Sequence, residues 1–155
     1  MKYIQMLALL GWISLFISCN DSDQILVEET LIFGHFFGEC VGERCVETFR
    51  LTRFDLAEDN VDGYASDGPF DFEVMPQEKF ELVKNLISEI PSELLETDDQ
   101  TFGCPDCGDW GGIYVSWITP ISTQSWRIDM IQESIPEYLH DFVDKINESI
   151  VLISD

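Results

Sequence analysis

From Leu31 onward the apolar positions recur at every second residue. Leu31, Phe33, His35 and Phe37 fall on one side of an extended segment, with Ile32, Gly34, Phe36 and Gly38 on the other. That is the period of a strand with apolar groups on both faces. The alternation resumes over residues 45–54, where Phe49 and Leu51 oppose Thr48, Arg50 and Thr52. Residues 39–44 between them carry Gly42 and are of hairpin length. Later in the chain Ile113, Val115 and Trp117 face away from Tyr114, Ser116 and Ile118, a run apolar enough on both sides to predict a central strand. Trp126, Ile128 and Met130 then oppose Arg127 and Asp129, the pattern of a one-sided strand.

Helical spacing follows each strand pair. A helix is predicted from Pro76 to about Ile90, with Phe80, Val83, Leu86, Ile87 and Ile90 on one stripe and Pro91 as its stop. A second starts with Ser134 as N-cap and Pro136 in its first turn, and carries Leu139, Phe142, Val143, Ile146 and Ile150 on one face. The order ββα-ββα predicts an α+β two-layer sandwich: an antiparallel sheet of four to five strands with two helices on one face. Residues 58–71, dense in Asp and Gly and containing Pro69, form the longest predicted loop.

Upstream of the strands the pattern is different. Residues 6–17 (MLALLGWISLFI) form an apolar run behind Met1 and Lys2, too short to span a bilayer as a helix, which is the layout of an export signal. The run ends in Leu15-Phe16-Ile17-Ser18-Cys19, which resembles the lipobox of bacterial lipoproteins; Phe16 replaces the usual leucine and the small Ser18 fits. The resemblance covers about the first twenty residues. It implies cleavage before Cys19 and a lipid, palmitate among its acyl chains, on the Cys19 thiol. The chain then divides into a signal peptide (1–18), an acidic tether (19–28) and a single α+β domain (29–155). Acidic residues directly after a lipidated cysteine are similar to the surface-export signals of some gram-negative lipoproteins. The expected address is the outer membrane, the cell surface ahead of the periplasmic leaflet.

Charge narrows the partners. Thirty acidic against eight basic residues give a net charge of −22. Binding to nucleic acid is disfavoured, because phosphate contacts need clustered Lys and Arg. An anionic bilayer surface repels such a chain, so membrane attachment falls to the lipid anchor. The same charge serves solubility or draws in a basic protein partner.

Four further cysteines come as two close couples, Cys40 with Cys45 (CVGERC) and Cys104 with Cys107 (CPDC). In an exported chain an even set is first a disulfide framework. Local pairing needs no assumption about topology, and crossed pairs remain open. The alternative is a zinc site built from the four thiolates, with His35 as a further ligand, although the first spacer is unusual for a zinc knuckle. His35, between Phe33 and Phe37, reads first as a hydrogen-bonded core or edge histidine, and His140 as a solvated one. A thiol-redox role for CPDC lacks the helix N-terminus that lowers a cysteine pKa in thioredoxin-like motifs.

Residues 58–63 (EDNVDG) open like a calcium loop, but Pro69 stands where a bidentate glutamate is needed. A calcium site of another kind would draw on Asp59, Asp62, Asp67 and Asp71, with a solvated turn as the default. Asn147-Glu148-Ser149 has the form of a glycosylation sequon inside a predicted helix and is discounted. No catalytic motif is present. The residues favour a non-enzymatic, lipid-anchored binding or structural module that presents the loops around residues 58–71 and 97–111. The alternatives are a metal-binding or thiol-redox lipoprotein built on the four cysteines, and an inhibitor or immunity-type lipoprotein directed at a basic enzyme.

Overall fold

The computed structural model describes residues 28–66 and 68–154. Among them, strands β1 (Thr30–Phe36), β2 (Val46–Leu51), β3 (Leu56–Asp59), β4 (Phe72–Val74), β5 (Thr101–Phe102), β6 (Gly112–Ile118) and β7 (Thr123–Asp129) form one sheet in the order β4-β3-β2-β1-β6-β7-β5. Neighbours are antiparallel except β5, which runs parallel to β7. The helices are α1 (Gln77–Val83), α2 (Ser92–Glu96) and α3 (His140–Ile153).

The alternation seen in the sequence sets the register. Leu31 pairs with Leu51 and Trp117, and Phe33 with Phe49 and Val115, so one face of the three middle strands is continuously apolar. Onto that face pack Phe80 and Val83 of α1, Leu94 of α2, and Phe142, Val143, Ile146 and Ile150 of α3, in a single buried cluster. Burial of this kind removes apolar side chains from water and is the main stabilising term.

The opposite face is apolar at Ile32, Phe36 and Tyr114, and a loop covers it where a helix layer is absent. The segment between β3 and β4 folds back across the sheet and lays Ala65 on those three residues, with Phe70 and Phe72 beside them. Those two rings stack at 5.1 Å. Gly34 lies beneath the loop's contact region in β1, where a Cβ would meet the Glu47 carbonyl oxygen at 2.1 Å and the Thr48 Cα at 2.9 Å. Only glycine admits so close an approach of two backbones.

The α+β class agrees with the sequence, and its details need correction. The sheet has seven strands instead of four to five and includes a parallel pair, because β3, β4 and β5 are four, three and two residues long and too short to show a period. The helix expected over residues 76–90 ends at Val83. Ser88 bonds the Asn85 carbonyl through both its N–H (2.9 Å) and its hydroxyl (2.6 Å), which winds Leu86–Glu89 as a 3-10 turn. Ser92–Glu96 adds a short helix that the sequence did not announce. Ser134 caps no helix: it lies in a 3-10 turn, Gln132–Ser134, and is followed by Ile135 in extended backbone. The last helix is entered through a 3-10 turn at Glu137–Leu139.

A polar seam closes the core at the end of α3. Buried Glu47 accepts the Ser154 hydroxyl at 2.8 Å, and the Lys79 ammonium donates to the Ile153 carbonyl at 3.0 Å, a cation at a helix C-terminus. Glu58 lies in the same seam. Burial first, and then the Glu47 carboxylate, raise its pKa above the ordinary 4.5; Lys79 offsets part of this and Glu73 adds to it.

Two outcomes follow. Gly34→Ala should cost about 3 kcal/mol or more in denaturant unfolding, because the clash is with backbone on both sides. Glu58→Gln should raise the melting temperature at pH 7, where the wild-type charge is unfavourably placed. That gain should fade as pH falls through the raised pKa of the folded chain and be gone well below 4.5, where the wild-type carboxyl is protonated in the folded and the unfolded chain alike.

Candidate functional site

Three loops meet at the end of the sheet where β1 finishes: the β1–β2 hairpin, the β3–β4 segment and the loop leading into β6. Each is braced internally before it meets the others. In the hairpin the Phe37 N–H donates to the Cys45 carbonyl at 2.9 Å, and a Cys40–Cys45 disulfide spans a Cα separation of 5.5 Å. The third loop carries a Cys104–Cys107 disulfide with Cα atoms 5.4 Å apart. Both bridges are the local pairing, and they consume the four thiols that a zinc site would need. In the β3–β4 segment Asp59 is buried and holds both ends, accepting the Asp62 N–H (3.1 Å) and the Asp71 N–H (2.6 Å).

Asp106, between the cysteines of CPDC, joins the three. Its Oδ2 accepts the Tyr64 hydroxyl at 2.6 Å and the Gly38 N–H at 2.8 Å, one donor from each of the other loops. Its Oδ1 accepts the Gly111 N–H at 3.1 Å, and its own N–H donates to the Gly111 carbonyl at 2.8 Å. The residue is left-handed, with φ 60°, a region that aspartate tolerates better than most side chains. Packing completes the junction: Phe36 meets the Tyr64 ring edge-on at 5.2 Å, and the Phe37 ring occupies the space a Cβ on Gly111 would take, 2.3 Å away. Hydrogen bonding to Asp106, then burial, then its charge raise the Tyr64 pKa, and Arg127 works weakly against them.

Behind the third loop stands Asp129, 3% exposed, which accepts the Cys104 N–H and the Ile131 N–H, each at 2.9 Å. Burial by itself would raise its pKa. The backbone donors of Ile131 and Cys104, the Ser134 hydroxyl and the Met130 N–H outweigh that and lower it, so the carboxylate stays ionised as a fixed acceptor. Gly103 passes so close that a Cβ there would lie 2.6 Å from the Asp129 Cβ.

The braced end displays apolar groups to water. Val41 is fully exposed at the hairpin tip, Trp110 is 66% exposed and Tyr64 50%. Glu39 and Asp109, close to Val41 and Trp110 in sequence, are exposed as well. Exposed apolar and aromatic side chains on loops braced in this way, with exposed carboxylates nearby in sequence, are chemistry for binding; aromatic side chains anchor interfaces at low entropic cost once their backbone is fixed.

The remaining candidate residues lie as follows. His35 Nε2 is 3.1 Å from the Arg44 carbonyl and 3.4 Å from Glu47 Oε2, with its ring edge-on to Phe37, so it is a bonded histidine of the sheet's end. His140 is half-buried instead of solvated, because the turn before α3 brings its Nε2 to 3.2 Å from the Ile135 carbonyl. CPDC runs through a turn into β6 and not into a helix. Among the described residues, no three His, Cys, Asp or Glu side chains converge as a metal site. Both carboxylate oxygens of Asp59 are already taken up by the backbone. Asp67 and the proposed anchor Cys19 lie outside the described residues. Asp106 is the candidate-site residue that the sequence did not reveal, since its partners Gly38 and Tyr64 are 68 and 42 positions away. No family model and no curated protein matches the chain.

Asp106→Ala should strand the donors of Gly38, Gly111 and Tyr64 together. The expected cost is about 1–3 kcal/mol of stability, with faster hydrogen exchange at Gly38 and Gly111 and unchanged exchange in β1 and β6. Uniform exchange acceleration throughout the sheet would contradict a local role.

Proposed function

We propose that this chain is a lipid-anchored envelope lipoprotein that works as a non-enzymatic binding module, with the three-loop end as its contact surface. The observation that carries this reading is the direction of β1. The strand is entered at Thr30, beside the β2–β3 and β6–β7 turns, and leaves at Phe36 among the three loops. Seven strand residues separate the two ends by about 20 Å. A lipid on Cys19, joined through the acidic tether, attaches the domain at the first end and leaves Trp110, Val41 and Tyr64 on the far side from the bilayer. Repulsion between the acidic domain and anionic lipid favours the same orientation.

The partner that fits this surface is a basic protein with an apolar spot to receive Trp110. Long-range attraction from a net charge of −22 would speed encounter, and the exposed aromatic residues would supply contact area. The preferred location is the outer membrane, cell surface ahead of periplasmic leaflet.

Two measurements in intact cells test this. A palmitate analogue should label the wild-type chain and not Cys19→Ala, which should move to the soluble fraction. A photo-crosslinking residue at position 110 should trap a protein neighbour, and less of it as salt rises. The same residue at position 121, 94% exposed in the β6–β7 turn at the tethered end, should trap little. Crosslinks at 121 with none at 110 would sink the assignment of the contact surface.

A further inference from the structure

The end of the sheet opposite the three loops is built from two turns of one design. Residues 52–55 join β2 to β3 and residues 119–122 join β6 to β7. Each turn is closed by a hydrogen bond from the threonine N–H to the carbonyl three residues on, Thr52 to Asp55 at 2.9 Å and Thr119 to Ser122 at 2.8 Å. In both, the threonine Oγ1 accepts the N–H of the third residue (Phe54 at 3.1 Å, Ile121 at 3.4 Å) and of the fourth (Asp55 at 3.1 Å, Ser122 at 3.0 Å). It also meets the fourth side chain, Asp55 Oδ1 at 2.8 Å and Ser122 Oγ at 2.9 Å. A threonine that satisfies the donors in this way fixes the turn. The third residue is then an apolar side chain held out in water: Phe54 is 71% exposed and Ile121 94%. A polar residue would serve either turn equally well at that position, so the turn itself does not call for either one.

Their place gives the pair a meaning. β2 and β6 are the two neighbours of β1; Thr30, where β1 begins, pairs with Ile118 beside one turn, and Leu31 pairs with Leu51 beside the other. The tips therefore flank the point at which the chain enters the sheet, about 15 Å apart across three strand spacings. Cys19 stands eleven residues before Thr30, and a stretch of that length reaches no further than about 40 Å at full extension. A lipid on Cys19 would hold this end of the domain within that distance of the bilayer whatever path the chain takes. Contact between the tips and the bilayer is then intramolecular in effect and requires little intrinsic affinity.

Charge agrees with this placement. In a chain of net charge −22, this end is close to balance: Arg50 is 3.7 Å from Asp55, Arg53 is 3.8 Å from Glu28, and Lys84, which lines a hollow with Glu29 and Arg53, is 2.7 Å from Glu81. Residues 110–126, which include the whole β6–β7 turn, carry no charged side chain. Asp98 and Asp99, which share a hollow with Thr123 and Gln124, are the acids beside that turn. A basic partner has little net charge to attract it here, whereas the headgroup zone of a zwitterionic bilayer takes up aromatic and branched apolar side chains. Resting on the lipid-anchor reading, we infer that Phe54 and Ile121 are a pair of membrane contacts, seated in the headgroup zone of the bilayer that carries the anchor, and that the domain stands on this end.

The test uses the full chain with its lipid, purified from cells and reconstituted in phosphatidylcholine vesicles. An apolar diazirine amino acid is placed singly at positions 54, 121, 41 and 151, the last two being exposed at the β1–β2 hairpin tip and on α3, and phospholipid adducts are counted by mass spectrometry. Positions 54 and 121 should form them severalfold above 41 and 151. Ile121→Asp should cut the yield at 54 roughly tenfold, the order expected when one apolar side chain loses its burial, and should leave the melting temperature unchanged because the side chain is exposed in the fold. Phosphatidylglycerol in the vesicles should lower the yield at both tips, and salt should restore it. A chain that carries the lipid and floats with the vesicles, yet gives adducts at 54 and 121 no more often than at 41 and 151, overturns the contact and leaves the anchor standing. Unchanged yield at 54 in Ile121→Asp, or protein adducts at 54 in cells in place of lipid, would overturn it as well. A chain without the lipid, left in solution, overturns anchor and contact together.

Discussion

Burial of β1 and β6 on both faces is the constraint from which the rest follows. The two strands pair along their whole length and carry apolar side chains alternately up and down. Water must therefore be excluded from two surfaces, and the helices reach only one. The chain meets the second requirement with the β3–β4 segment, which forms no hydrogen-bonded ladder over the sheet among its described residues. Its conformation is fixed from its ends by Asp59 and at its middle by left-handed residues at Asp62, Ala65 and Ser66. Left-handed alanine and serine are costly by themselves, and the apolar contact of Ala65 with Ile32, Phe36 and Tyr114 offsets that cost.

That solution also builds the three-loop end. A segment that must cross the second face brings Tyr64 to the end of β1, where the hairpin and the CPDC loop already meet. One carboxylate then joins the three loops, because Asp106 has two oxygens with several lone pairs and its neighbours supply two backbone donors and a phenol. Charge-assisted bonds of this kind are stronger than neutral ones and tolerate little angular freedom, so the exposed aromatic residues above them stay in place. In a small domain, local disulfides and satisfied carboxylates rigidify loops that the core does not reach.

What could be read from the sequence follows this division. The long strands and the faces of α1 and α3 are written in periods of two and of 3.6, and Leu31, Phe33, Phe49, Val115, Phe142 and Ile146 all lie where their spacing placed them. The sequence offered the local cysteine pairing as the reading that needs only neighbours while leaving crossed pairs open, and the structure has the local pairs. The short strands were not, since three residues such as Phe72-Glu73-Val74 carry no period, and β5 exists only because β7 offers it an edge. Asp106 looked like one acid among thirty; its meaning comes from residues far along the chain.

The strand order also dictates a sequence of events during folding. Phe33 meets Phe49 after a short hairpin but must wait for Val115, synthesised far later, to cover its other side. The two cysteine couples, by contrast, are five and three residues apart and can oxidise while the rest is still extended. Early in the life of the chain the β1–β2 hairpin is therefore crosslinked yet incomplete, an apolar ribbon with an open edge. Such a species is a substrate for chaperones and a seed for aggregation, and the non-local closure by β6 ends that exposure. For a chain that folds outside the cytoplasm, as proposed for this one, the interval between the export of residue 36 and that of residue 112 is the period of greatest vulnerability.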